Sequence, residues 1–226
     1  MQTYDAIIIG AGHNGLVAAA YLGKAGKKVL IVERRPTVGG IAATEEIFSG
    51  FKYSTCAHLA GTFSPAVIAD LDLIKHGLEI LRLDPLLFAP SREGNSLLIS
   101  RDSTKAGEEI GRHSRNDASK YPAFCSLLKD LSGFLQHLYS LKLPDKANPG
   151  TVNPGALLKT AWKFHGLGAK EGYEFLRAVP MSIADLLNEW FANALLKAAL
   201  AASGILGSFV GPRQQGTAFN LLPHQL

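Results

Sequence analysis

Three glycines and one carboxylate carry the clearest chemistry in this chain. Gly10-Ala11-Gly12-His13-Asn14-Gly15 has the spacing GxGxxG, with an apolar run before it and a helical pattern after it. In that setting the spacing makes a cradle for a diphosphate. Gly10 permits the tight turn, Gly12 lets bare backbone approach a pyrophosphate, and Gly15 lets the following helix pack against the strand. Ala11, His13 and Asn14 contribute backbone N–H groups, which the positive end of a helix offers to phosphates. Glu33 ends the next apolar run, eighteen residues after Gly15. An acidic residue at that place takes the hydroxyls of a ribose.

A second signal follows in Glu33-Arg34-Arg35-Pro36-Thr37-Val38-Gly39-Gly40. Arg34 and Arg35 have the chemistry to bind the pyrophosphate or a 2′-phosphate. Glu33 argues by charge against the 2′-phosphate, and two solvated charges after a strand remain the plainer alternative for both arginines. Gly39 and Gly40 lack Cβ atoms, so the chain can cross close beneath a large ligand.

At these residues the sequence resembles the dinucleotide-binding motif of the FAD flavoproteins that include amine oxidases and phytoene desaturases. Their pattern of Glu, Arg two residues later, then Gly-Gly falls on Glu33, Arg35, Gly39 and Gly40. His13-Asn14-Gly15-Leu16 and Thr44-Glu45-Glu46 are most similar to the phytoene-dehydrogenase-like branch. The resemblance covers residues 5–60, continues through 61–140, and returns at Ser182–Leu222 with Trp190-Phe191 and Gly204-Ile205-Leu206-Gly207.

The resemblance implies FAD as cofactor and an oxidoreductase that removes a hydride from a C–C or C–N bond of a lipophilic small molecule. Flavin reoxidation would use oxygen or a quinone. It assigns no catalytic acid or base here. Such flavoproteins are longer and return near their C-terminus with a segment covering the flavin. This sequence has no second Gly-rich motif, so it is expected to be an N-terminal portion. Two other classes stay open. A NAD-dependent dehydrogenase would not need Gly39-Gly40, and a non-catalytic nucleotide-binding module or truncated product would suit the short chain.

The elements that must position these residues can be read from periodicity. Tyr4–Ile9 and Val29–Glu33 are expected as parallel strands buried on both faces, joined by a helix from His13 to about Ala25 that Gly26 stops. Thr44–Phe48 and Phe51–Ser54 read as a hairpin, and Ser64-Pro65 opens a helix that Gly77 closes. Strands are expected within Leu78–Ala89 and at Leu97–Ile99, around a turn at Pro90–Asn95. Helices follow at Ser103–His113 and Ala118–Leu141, then a Pro/Gly/Asn-rich link at Pro144–Pro154. Ser182 with Asp185 starts a helix through Phe191, and Ala192–Ala202 forms another. The fold class is α/β, a Rossmann-like FAD-binding βαβ unit over residues 1–75 with the start of an α+β substrate domain over 76–226.

Composition narrows the partners. Among 226 residues, 47% are hydrophobic and 19% charged, which suits a globular protein with a real core. The net charge of +4 suits an anionic cofactor, while the lack of basic-aromatic tracts argues against nucleic acid. No signal peptide is read at the N-terminus, and Cys56 and Cys125 form no CxxC pair. A reducing compartment such as the cytoplasm is therefore expected. Cys56 is expected as a buried or half-buried thiol and Cys125 as core. His58, His76, His113, His137, His165 and His224 form no metal-ligand spacing, and no GxSxG nucleophile elbow is present. Leu157–Phe164 mixes Leu, Trp, Phe and Lys at helical spacing. It reads either as a surface helix with an apolar inner face or as a peripheral contact with a membrane.

Overall fold

The computed structural model describes residues 2–57, 59–61, 63–91, 94–141 and 153–222. The chain divides into two compact units, residues 1–81 and 82–226.

In the first unit, strand β1 (Ala6–Ile9) and strand β2 (Val29–Val32) pair in parallel with Ile8 opposite Ile31. Helix α1 (His13–Lys24) connects them. Its end is closed where Gly26 N–H donates to the Gly23 carbonyl and Lys27 N–H to that of Leu22, satisfying carbonyls the helix leaves open. The βαβ crossover expected from the glycine spacing is present. The expectation that both sheet faces are buried is not met. Successive strand residues point to opposite faces, and α1 covers the side of Ile8. On the other side Ile7 is 62% exposed and Ile9 88%. One crossover helix covers only one face of two strands. A 3₁₀ turn (Gly40–Ala42) leads into the antiparallel hairpin of β3 (Thr44–Phe48) and β4 (Phe51–Ser54), with a bulge between Glu46 and Phe48.

Helix α2 (Pro65–Asp70) begins after Ser64 as expected but ends before Gly77. Asp72 takes the left-handed conformation (φ 52°), and Leu73 N–H closes on the Ile68 carbonyl, which stops the helix early. Gly77 closes the separate turn that follows, its N–H donating to Ile74.

In the second unit, only Leu87–Ala89 of the expected strand region pairs, as β5 with β6 (Leu97–Ile99). Residues 78–86 form no strand. Their apolar side chains Ile80, Leu81, Leu83 and Leu86 are exposed, and of their backbone only the Leu86 N–H is seen to reach β6, at the Ile99 carbonyl. Helix α3 (Ser103–His113) is capped by Asp102, whose side chain accepts from Thr104 and Lys105 N–H. Helix α4 (Arg115–Tyr139) starts three residues before expectation because Ser114 Oγ accepts the Asp117 N–H. Helices α5 (Pro154–Gly166), α6 (Ala169–Ala178), α7 (Ile183–Trp190), α8 (Ala194–Ile205) and α9 (Thr217–Leu221) complete the unit. Ser182 caps α7 through the Asp185 N–H, as the pattern predicts. The expected link at Pro144–Pro154 lies outside the described residues up to 152, as do Arg92, Glu93, His58 and His224.

The core runs along α4, where Phe124, Leu128, Leu131 and Leu135 are buried against α7 and α8 residues such as Leu187 and Leu196. Phe124 meets Phe191 edge to face at 5.0 Å, and Phe134 meets Phe175 at 5.1 Å. Among the described residues, Asp117 is the buried acidic side chain. Its carboxylate accepts the backbone N–H groups of Ala192 and Asn193, fixing the α7–α8 corner to α4.

Candidate functional site: two glycine crossings and a carboxylate

The turn from β1 into α1 is built from absent side chains. Gly10 has φ 99°, a left-handed conformation that L side chains resist, and its N–H donates to the Val32 carbonyl at 2.7 Å. A Cβ on Gly15 would overlap the Gly10 carbonyl oxygen and lie 3.3 Å from Ile8 Cγ2. Gly15 is therefore what lets α1 sit on β1. Gly12 differs. Its backbone (φ −73°, ψ 170°) suits any residue, and a Cβ there would meet only the Gly40 Cα, at 3.9 Å. The protein itself gives no steric reason for glycine at 12.

Gly12 is the N-cap of α1, and no side chain caps that end or places a negative charge in its first turn. The N–H groups and partial positive charge of the helix start thus remain for an anion. His13 and Asn14 are exposed at this end.

Glu33, just after β2, turns toward the glycine loop. One carboxylate oxygen accepts the Ala11 N–H at 2.7 Å and the other accepts the Arg35 N–H at 2.9 Å. These bonds, that from Arg35 first, hold its pKa below the usual glutamate range. A carboxylate has about four acceptor positions, so two hydrogen bonds leave capacity for a further donor.

Gly39 and Gly40 bring a second crossing onto the first. Gly39 N–H donates to the Ala11 carbonyl at 2.7 Å, and Gly39 pairs with Gly12 as an isolated parallel bridge. A Cβ on Gly40 would stand 3.0 Å from the Gly12 Cα. Ala11 and Ala43, one on each crossing, are the fully buried hydrophobic residues of this unit among those described. The structure therefore brings Gly10, Ala11, Gly12, His13, Asn14, Gly15, Glu33, Gly39 and Gly40 into one cluster.

The arginines divide. Arg35 forms an ion pair with Glu45 on β3, tying the hairpin to the end of β2. Sequence reasoning did not give Glu45 that part, although an acidic residue ten positions beyond an arginine at a strand end was the available signal. Arg34 is exposed beside Glu33. Cys56 is also exposed, contrary to the buried or half-buried position expected; it sits in the bend after β4, where the Ala57 N–H donates to the Ile41 carbonyl. Cys125 is partly buried against the core. Among the described residues, no group of His, Cys, Asp and Glu has the geometry of a metal site.

Comparison with known proteins agrees with this geometry. The family model for the NAD(P)-binding Rossmann-like domain matches residues 8–72. Pyridine nucleotide-disulfide oxidoreductase domain-containing protein 2 of Rattus norvegicus is 35% identical over 240 residues, covering 98% of this chain and 40% of that protein. A limonene dehydrogenase polypeptide of Castellaniella defragrans is 40% identical over 118 residues, covering 52% of this chain and 21% of that protein. A putrescine oxidase triple mutant of solved structure is similar in fold, with a TM-score of 0.52 at 19% identity, over 97% of this chain and 40% of that one. The chain thus spans about two fifths of the length of the relative that it matches throughout. With a Rossmann-like domain at residues 8–72 and a sequence match running along nearly all of the chain, it is similar to that oxidoreductase domain-containing protein in sequence and to putrescine oxidase in fold.

Proposed function

We propose that this chain holds the FAD of a phytoene-dehydrogenase-like oxidoreductase whose substrate is a lipophilic small molecule. One observation carries the reading: the Gly39–Gly40 crossing rests on Gly12 while the start of α1 stays uncapped. That leaves bare backbone and a positive helix end facing the same place, as a dinucleotide's pyrophosphate requires. FAD, when bound, supplies two-electron redox chemistry that no side chain provides.

The residues of this chain then bind and orient. The N–H groups at Gly12–Gly15 take the pyrophosphate, and the remaining acceptor positions of Glu33 take the adenosine ribose. Arg35 acts through its ion pair with Glu45, keeping the second crossing in place, while Arg34 is the arginine free to approach phosphate. Residues 1–75 form the nucleotide-holding part and residues from 76 begin the substrate part. A lipophilic substrate accords with a relative named for limonene, a hydrocarbon.

The test is the identity of the cofactor. Protein purified from its host and denatured should release FAD, detected by its absorption and mass, or should bind FAD saturably when titrated. Release of NAD(P) with no flavin, and no saturable uptake of added FAD, would overturn the reading.

A further inference from the structure

Of the two readings of helix α5, an apolar inner face or a membrane contact, the structure does not give the first to its Leu158 and Trp162, which it turns outward. The side facing α4 is a narrow strip of Ala156, Thr160 and Phe164. Thr160 Oγ1 meets His137 Nε2 at 3.1 Å, and the Phe164 ring lies 5.4 Å from that of Phe134. Leu158 and Trp162, four residues apart and so on one face, are 73% and 80% exposed. Leu157 is exposed beside them.

The charges on this helix are all of one kind. Lys159 and Lys163 flank the Leu158–Trp162 ridge, and α5 contains no Asp or Glu. The next helix, α6, shares the exposed apolar residues but not the uniform charge. Tyr173 and Leu176 are exposed on it, and Lys170 is one turn from Tyr173. It also carries two carboxylates, Glu171 in its first turn and Glu174, of which Glu174 is paired with Arg177. Among the described residues, no helix is long and apolar enough to cross a membrane.

We propose that α5 is a peripheral membrane contact that lies on an anionic lipid surface. Leu158 and Trp162 enter the boundary between headgroups and acyl chains, and Lys159 and Lys163 stay at headgroup level against lipid phosphates. Trp favours that boundary because its ring is apolar and its N–H polar. Lysine stems reach along the apolar layer while their ammonium groups stay in water. Charge complementarity selects the occupant. An all-cationic rim around an apolar ridge matches anionic headgroups, whereas a second copy of α5 would set lysine against lysine. The proposal does not depend on the cofactor reading, since vesicle binding needs no flavin.

The test is sedimentation of the 226-residue protein with vesicles of phosphatidylcholine alone and of phosphatidylcholine mixed with phosphatidylglycerol. Binding to the mixed vesicles and not to the neutral ones is expected. The double variant Lys159→Glu/Lys163→Glu should weaken it by at least tenfold, since each lysine near such a surface contributes about fivefold. Leu158→Ser/Trp162→Ser should abolish it. All four positions are exposed, and unchanged circular dichroism would verify the fold. Absence of binding to both vesicles, binding indifferent to lipid charge, or binding untouched by either double variant would overturn the proposal. So would a concentration-dependent dimer that Leu158→Ser/Trp162→Ser disperses, which would assign the face to a second copy.

Discussion

Gly12 and Gly15 stand three residues apart in one turn, and the structure predicts opposite consequences of giving each a methyl group. At Gly15 the new Cβ overlaps a backbone carbonyl, that of Gly10, which cannot rotate away as a side chain could. Overpacking costs about 1–3 kcal/mol, and a backbone obstacle belongs at the upper end. Gly15→Ala should therefore lower stability by about 3 kcal/mol, lifting α1 off β1. At Gly12 the nearest atom to a new Cβ is 3.9 Å away and the backbone angles are ordinary. Replacing glycine there costs a few tenths of a kcal/mol at an N-cap, up to about 1. It recovers about 0.4–1 by restricting the unfolded chain. The net change in stability is about zero. Under the proposed function ligand binding suffers instead, because the methyl group would occupy the place where the pyrophosphate meets the backbone. Losing one charge-assisted hydrogen bond, about 1.5–3 kcal/mol, corresponds to a tenfold to hundredfold weaker affinity. Thermal unfolding followed by circular dichroism and titration with FAD separate the two effects. If Gly12→Ala bound FAD like the wild type, or melted as early as Gly15→Ala, the assignment of these glycines would be wrong.

Two further outcomes follow from named contacts. Asp117→Ala should destabilise the second unit by about 3 kcal/mol in urea unfolding, because the part-buried N–H groups of Ala192 and Asn193 lose their charged acceptor; an unchanged midpoint would contradict the part assigned to that carboxylate. Glu33 has its carboxyl pKa depressed by the Arg35 and Ala11 N–H groups. Its contribution to the order of the cradle is therefore complete above the ordinary glutamate range and is lost as pH falls through the lowered folded value. Nucleotide affinity should decline on acidification below that range, and Glu33→Gln should flatten the profile; an identical acid limb in the variant would refute it.

The local parts of this account were legible in the sequence, and the distant parts were not. Strand, glycine turn, helix and second strand follow from short apolar runs and a helical pattern with punctuation by Gly10, Gly15 and Gly26. The same holds for the β3–β4 hairpin and for the Ser182 cap. What escaped depends on groups far apart in the chain. Glu33 reaches Ala11 across twenty-two positions, and Gly40 seats against Gly12 across twenty-eight. Asp117 meets Ala192 across seventy-five. No window of sequence shows such pairings. Apolar patterning without context also misled. The run 78–86 reads as strand yet forms none, the pairing with β6 beginning only at its last residue, and α6 and α9 went unrecognised because short helices depend on packing more than on propensity. Helix α5 shows the same limit: spacing shows that Leu158 and Trp162 share a face, and only the fold shows which way that face looks.

The most direct measurement of the central claim is the amide spectrum of isotope-labelled protein during titration with FAD. The amides of Gly12, His13, Asn14 and Gly15 should move together and saturate, accompanied by Gly39 and Gly40 on the second crossing. Saturable FAD binding that leaves these amides unmoved would contradict the account, and so would their failure to respond at any FAD concentration.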